Sequence, residues 1–402
     1  MVDYDIIVIG GGLNGLTLAS MLSMHDFKIA LIDKSDLEKK MQIRDGRAIA
    51  ISNFSQKILA KYQLWDRVSK CGAGEIHNIL IQDGDSSYSM EFNNHLVDNQ
   101  VLGFLVSSDE IAKGLYGKVL ESKNVAVIDK TECVEIDSDL HFSSVKLSSG
   151  KTIKAKLTVI ADGKNSKSRE LLNLPTVDKD YDQVCFVMNI KHSLPHKNYA
   201  YEIFYRNGPF ALLPLASQNE SAVVWADKPA AQNIVKTNMK LFEEILQERC
   251  KDICGDVKII SAVNAFPLSL RFMNEYFKGR SVFIGDSLHF IHPIAGQGYN
   301  LSIRDIDALI NLLVEYRDLG VDIGSGALLE VFASQRKHDN MLMIRITDSL
   351  NSIFANDSGL MSWGRKLGLE TIDNLDILKR TMMQYAMGQK IDLDLLKKLF
   401  IV

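Results

Sequence analysis

The stretch Tyr4–Asp33, YDIIVIGGGLNGLTLASMLSMHDFKIALID, decides the fold. Tyr4–Ile9 is a short β-branched run closed by three glycines, which reads as a buried strand entering a tight turn. The next run, Leu13–Met24, carries apolar residues at Leu13, Leu16, Leu18, Ala19 and Leu22, a spacing that suits a helix packed on a sheet. Lys28–Ile32 is a second buried strand, ending at Asp33. The unit is therefore βαβ, its turn is Gly10-x-Gly12-x-x-Gly15, and an acid follows eighteen residues after the last glycine. In such a turn the first glycine permits the tight bend and the second lets a pyrophosphate approach the backbone. The third lets the helix pack close to the strand, so that its N-terminal N–H groups face the phosphates. Asp33 can accept hydrogen bonds from an adenosine ribose. The register favours a dinucleotide site over a turn that merely looks like one, but it does not by itself separate FAD from NAD.

Working outward, two further strand ends repeat this punctuation. Lys156–Ala161 (KLTVIA) runs into Asp162-Gly163, and Ser281–Ile284 (SVFI) runs into Gly285-Asp286. Both are expected to return to the first sheet. Residues 75–95 and 176–275 read differently: they alternate, as in Tyr201–Tyr205 (YEIFY) and Ser221–Trp225 (SAVVW), with turn signals such as Asn207-Gly208-Pro209. A long helical pattern starts at Gly298, and residues 327–402 read as mostly helical. The expected fold is α/β: a discontinuous Rossmann-like domain (1–74, 96–175 and 277–345), an inserted antiparallel β-sheet substrate domain (75–95 and 176–276) and a helical C-terminus (346–402).

Composition narrows the function. The chain has 402 residues, enough for two or three domains, with 46% hydrophobic and 24% charged residues. Lys plus Arg is 46 against 50 Asp plus Glu, so no basic excess points to nucleic acid. Five cysteines form no paired framework; Cys250 and Cys254, four apart, are neither a metal knuckle nor a C-x-x-C, and ordinary thiols in a reducing compartment are expected. No secretory signal and no apolar window of about 18 residues is present. The expectation is a cytoplasmic protein, in solution or peripheral at the inner face of a membrane.

Asp286, His289 and His292 make a D-x-x-H-x-x-H spacing, but Pro293 and Gly296 imply a loop that would not align metal ligands, and no metal is expected. The better reading puts Asp286 at a strand end facing a ribitol hydroxyl. The loop Pro293-Ile294-Ala295-Gly296-Gln297-Gly298 then crosses a flavin and enters a helix from Tyr299, whose N-terminus would stabilise negative charge on the flavin's pyrimidine edge. Asp162-Gly163 alone is equally a plain turn, Arg47 alone is by default a solvated charge, and Trp225 and Trp363 read as core before substrate platform.

Three separated motifs, GGGLNG at 10–15, ADGKNS at 161–166 and GDSLHFIHPIAGQGYNL at 285–301, together resemble the single-component FAD-dependent aromatic hydroxylases, the class of para-hydroxybenzoate hydroxylase. More closely, the chain is similar to the ubiquinone-biosynthesis hydroxylase family. DGRAIAIS at 45–52, GPFALLPL at 208–215, FPL at 266–268, HPIAGQGYNLSIRD at 292–305, TDSL at 347–350 and GRKLGL at 364–369 carry that likeness nearly end to end. The resemblance implies FAD, with Gly10, Gly12, Leu13 and Gly15 along the pyrophosphate, Asp33 on the ribose, Arg47 at the phosphate or ribityl region and the Val134 backbone at the adenine. It implies Asp286 on the ribityl chain, Gly296, Gln297, Gly298 and Asn300 around the isoalloxazine, and Asp162 serving both FAD and NAD(P)H. Asn14, Lys34, Gly163 and Tyr299 complete the implied cofactor set. The chain departs from the family at Ser108-Asp109, where Asn-Arg is frequent, at the bulkier Leu288, and at Asp33, where Glu is more frequent.

The implied reaction is hydroxylation of a polyprenyl-phenol ring with O2, NAD(P)H binding transiently and the oxygen passing through a flavin C4a-hydroperoxide. The flavin carries that chemistry, so no Ser-His-Asp or carboxylate pair is required; the protein excludes water and orients the ring. Pro293 and the Gly296–Gln297–Gly298 turn are expected at that face, His289 as a weaker candidate, and no residue is identified as a base for the phenol. A single fingerprint without a Cys pair argues against a disulfide reductase. A dehydrogenase or reductase on the same scaffold remains the rival enzyme, and a non-catalytic flavoprotein subunit of a lipid-synthesis complex the rival outside enzymes. Residues 375–402 mix Leu and Met with Lys379, Arg380, Lys397 and Lys398. Such a helix either lies in a lipid interface or packs on the protein's own core or a partner copy.

Overall fold

A computed structural model describes residues 2–43, 46–84, 88–354 and 375–388. Tyr4–Ile9 lies at the middle of a sheet, parallel to Ile29–Ile32 on one side and Thr152–Ile160 on the other. Val125–Ile128 extends the sheet beyond Ile29–Ile32, and Ser281–Phe283 extends it beyond Thr152–Ile160, both in parallel. The register pairs Ile9 with Ile160 and Ile160 with Phe283. Parallel strands in step bring their carboxyl ends to one edge, so Gly10, Asp162 and Asp286 leave the sheet side by side; ligands of open α/β sheets bind in the crevice outside that edge. Helix Leu13–Leu22 covers one face and buries Leu16, Leu18 and Leu22.

Gly10 takes φ +111°, and a Cβ there would lie 2.4 Å from the Ala161 carbonyl oxygen. At Gly15 a Cβ would lie 1.8 Å from the Gly10 carbonyl oxygen. Neither position admits a side chain, which is the close turn and the close helix–strand contact expected of the motif.

The alternating segments form a second, nine-stranded sheet built from Asn78–Gln82, Ser89–Asn93, Val177–His192, Tyr199–Tyr205, Gly208–Pro214, Glu220–Asp227, Val257–Ile259, Asn264–Phe272 and His289–Phe290. Two features differ from the sequence expectation. Asn78–Gln82 runs parallel to Tyr199–Tyr205; more than a hundred residues separate them, so no hairpin fixes their direction. Between the strands sits helix Met239–Cys254, which the alternating reading of 176–275 does not anticipate. It buries Phe242, Leu246, Cys250 and Cys254 against Phe186, Phe210 and Trp225, whose indole stacks on Phe242 at 5.0 Å. Trp225 is therefore core, as read from sequence. Cys71, Cys133, Cys185, Cys250 and Cys254 are free thiols, all but Cys71 buried.

Helices Gln297–Asp318 and Gly326–Phe354 pack behind both sheets. Asp376–Ala386 is a further helix, while 389–402, Trp363 and the 364–369 motif lie outside the described residues. Among the described residues no helix is long and apolar enough to cross a membrane.

Candidate cofactor and active site

Gly12 caps the first helix with no side-chain hydrogen bond, and a Cβ placed on it meets nothing within 4 Å. The helix N-terminus thus opens onto free space, an anion site by its dipole and its N–H groups. Asp33 is fixed in front of it: one carboxylate oxygen accepts from Gly11 N at 2.6 Å and the other from Ser35 N at 2.7 Å, with Lys40 Nζ at 3.6 Å. Each oxygen keeps a lone pair for a ribose hydroxyl. Lys34 and Val134 are exposed, and neither lines the cavity described below.

Buried polar atoms of residues in or next to the cavity lining have no protein partner: Asn14 Oδ1, Asp162 Oδ1 and Gln297 Oε1. A polar cofactor would satisfy them, and burying them otherwise carries a cost. The Asp162 Oδ2 atom accepts from Ser168 N at 3.2 Å, and Gly163 follows in the left-handed region with open space beside it. Asp286 is held above the usual carboxylate range, by burial first; His289, Asn14, Arg47 and Lys164 pull it down. The Arg47 guanidinium lies over Phe266 at 5.7 Å, and its carbonyl accepts from Ser108 N at 2.9 Å. Ser108 so meets Arg47's backbone, while Leu288 is core. These residues fit FAD.

Across the crevice the 293–298 loop turns sharply. Ala295 (φ +56°) and Gly296 (φ +59°) are both left-handed, and a Cβ on Gly296 would lie 2.6 Å from Ala50 Cβ. An alanine in that region is uncommon and costs about 1 kcal/mol. The pair turns the chain straight into the helix, which begins at Gln297 rather than at Tyr299. The helix start carries no side-chain cap, leaving its first N–H groups for a ligand. Asn300 spends its amide on structure: Oδ1 accepts from Ser52 N (2.8 Å), and Nδ2 donates to Ala50 O (2.9 Å) and Gly296 O (3.0 Å). Tyr299 likewise gives its hydroxyl to Thr17 Oγ1 at 2.7 Å. These side chains fix the loop between strand Ala48–Ser52 and the first helix.

The two histidines of the D-x-x-H-x-x-H spacing go to different partners. His289 Nε2 lies 2.5 Å from Asp305 Oδ2, and Asp305 also accepts from Arg336 Nε at 2.6 Å and Asn340 Nδ2 at 3.2 Å. His289 and Arg336 hold the Asp305 carboxyl at about 2 against its burial. His292 faces Gln183 Oε1 at 3.3 Å and the edge of Tyr181, and burial lowers it to about 4, keeping it neutral. Among the described residues no three metal-ligating side chains converge.

One cavity of about 1480 Å³ joins these parts. It runs from Gly12, Asn14 and Asp286, past Pro293–Asn300, onto the face of the second sheet turned away from helix Met239–Cys254, where Val187, Ala211 and Val224 line it. Met382, Met383, Tyr385 and Met387 of the C-terminal segment close the far side; Met383, Tyr385 and Met387 are buried, so this part of 375–402 packs on the protein itself. Among the lining residues that sequence reasoning missed is Glu202. It sits on the cavity face of Tyr199–Tyr205, and the signal available was a lone acid within an otherwise aromatic and apolar alternation, YEIFY.

A profile described as FAD binding domain matches residues 3–338. Ubiquinone hydroxylase UbiL of Rhodospirillum rubrum is 31% identical over 389 residues, covering 96% of this chain and 89% of that one. The 3-demethoxyubiquinol 3-hydroxylase of Escherichia coli is 28% identical, covering 96% and 98%. Among solved structures, p-nitrophenol 4-monooxygenase PnpA of Pseudomonas putida DLL-E4 superposes with a TM-score of 0.79 at 16% identity, covering 96% of this chain and 98% of that one. With the FAD-fitted cradle and the end-to-end likeness together, the chain belongs to the ubiquinone-biosynthesis family of FAD-dependent hydroxylases and is an FAD-dependent monooxygenase.

Proposed function

We propose that the protein hydroxylates the aromatic ring of a polyprenylated phenol, with NAD(P)H as electron donor and O2 as oxidant. One oxygen atom enters the ring in place of hydrogen and the other leaves as water, the two electrons coming from NAD(P)H. Bound FAD would supply that oxygen transfer. The chain's share is to hold the cofactor with the Gly10–Gly15 turn, Asp33, Arg47, Asp162 and Asp286, and to set the flavin ring against Pro293, Gly296, Gln297 and Gly298. Asn300 and Tyr299 act through the loop they anchor, and Lys34 and Val134 border the adenosine end.

The observation that carries this reading is the continuity of the cavity from the cofactor cradle to an apolar sheet face. A dehydrogenase for a small polar substrate has no use for such a wall; a ring bearing a hydrocarbon tail fills it and excludes water. The division into 1–74, 96–175 and 277–345 against 75–95 and 176–276 follows the same logic, one unit for cofactor and one for substrate. Peripheral contact with a membrane, and association with itself or with other proteins of the pathway, belong to this proposal because the tail keeps the substrate in lipid. The test is a purified, FAD-loaded enzyme given NAD(P)H, labelled O2 and a prenylated phenol. Label in the ring, with O2 uptake matching product, supports the reading; substrate oxidation without label in the product makes the protein a dehydrogenase instead.

A further inference from the structure

The cavity face of the second sheet is built from transverse rows of side chains set by strand register. One row runs Val187, Val224, Ala211, Glu202, Ile81 and Met90, each paired directly with the next across four adjacent strands and the edge hairpin. All six line the cavity, and only Glu202 is polar. Two residues along its strand and on the same face, Phe204 packs on Ile294 of the flavin-side loop and stacks on Phe354 at 4.0 Å. Two strand residues span about 6.6 Å, so Glu202 stands about that far along the strand from the residue that packs on the flavin-side loop.

We propose that Glu202 is the base that takes the proton from the phenolic hydroxyl of the substrate, an inference that rests on the hydroxylase reading above. In that step the phenol O–H bond breaks, a carboxyl O–H bond forms, and the electron pair stays on the ring oxygen, where it raises electron density at the carbons that accept oxygen. When the hydroxylated ring loses its displaced hydrogen as a proton and regains aromaticity, Glu202 returns its own proton to the ring oxygen and is carboxylate again.

The surroundings suit the task. Among the described residues the Glu202 side chain makes no hydrogen bond or ion pair, so its lone pairs are available to a ligand. Burial alone raises it, to about 8, and no cation acts on it. The titratable group that registers its charge is Cys185, on the same cavity face, whose thiol burial and Glu202 together push up to about 12, too high to compete for the proton. Asp286, Arg47 and Lys164 line the cofactor end of the cavity and do not contribute to its shift. A base near 8 facing a phenol near 10 is matched closely enough for transfer in both directions.

The test compares FAD-loaded wild type, Glu202→Gln and Glu202→Asp, with a short 2-prenylphenol as probe. Difference absorbance of the bound probe reads phenolate directly, without turnover. In wild type hydroxylation is expected to rise with pH through about 8 as the carboxylate forms, while the bound probe stays almost wholly the neutral phenol until pH nears 10. Glu202→Gln should keep its FAD and bind the probe as the neutral phenol, with hydroxylation at neutral pH down on the order of a hundredfold and recovering only near pH 10. Glu202→Asp should retain the lower-pH limb at a reduced rate. An unshifted rate profile in Glu202→Gln overturns the assignment while leaving the hydroxylase reading intact. A wild type that binds FAD yet hydroxylates no phenol overturns both.

Discussion

At the scale of single residues, the cofactor site is a matter of what fits beside a backbone. Gly10 and Gly15 are pinned by carbonyl oxygens, whereas Gly12 faces open space, so a side chain at the first two positions breaks the turn and one at Gly12 only fills the cradle. Gly12→Val is therefore expected to fold with a wild-type circular-dichroism spectrum and to purify without flavin; a yellow Gly12→Val protein would mean the pyrophosphate lies elsewhere. These residues were legible in the sequence because their spacing along one short segment encodes their chemistry. Asp286 and Asp162 were legible too, since both end buried strands. Glu202 was not: nothing local says which face of YEIFY looks into the cavity, and that follows only from pairing with strands far away in the chain. Asn300 and Tyr299 stand at the loop, and their side-chain partners Ser52 and Thr17 are again long-range.

At the scale of elements, four strands of the first sheet were readable to within a few residues, because parallel strands buried on both faces are uninterrupted apolar runs bounded by Gly and Asp, whereas Val125–Ile128 was not read. Helix Met239–Cys254 was hidden by its charged outer face, although Phe242, Leu246, Cys250 and Cys254 recur at four-residue intervals. The C-terminal helix shows how one pattern serves two readings. Its Met383 and Met387 are buried against the cavity wall, while Leu375 and Met382 remain exposed, so the described part is a lid of the protein's own core. Truncation after Gly388 separates the remaining possibilities. Activity on a long-tailed phenol is expected to fall more than activity on a short-tailed analogue; equal loss on both removes lipid capture by 389–402.

At the scale of the whole molecule, Asp305 is the point where helix Gln297–Asp318, helix Gly326–Phe354 and the 285–290 segment are tied together, through Arg336, Asn340 and His289. Its carboxyl is depressed to about 2 from an ordinary 3.8, so it contributes stability above the ordinary value that is lost as pH falls from about 4 through about 2. Asp305→Asn breaks a buried charge network and is expected to cost about 3–5 kcal/mol near neutral pH. Thermal melts should then show a lower Tm in the variant and a flatter dependence between pH 4 and pH 2; a variant that melts like wild type at pH 7 removes Asp305 from that role. The cavity has a different consequence, one of stoichiometry. FAD takes one end of the roughly 1480 Å³, and on the proposed reading a ring with a short tail leaves part of the apolar remainder to water. Water beside an activated oxygen diverts reducing equivalents into hydrogen peroxide. The ratio of hydroxylated product formed to NAD(P)H consumed should therefore climb as the prenyl tail is lengthened, with peroxide falling in step, making the cavity a gauge of tail length that is read in wasted electrons.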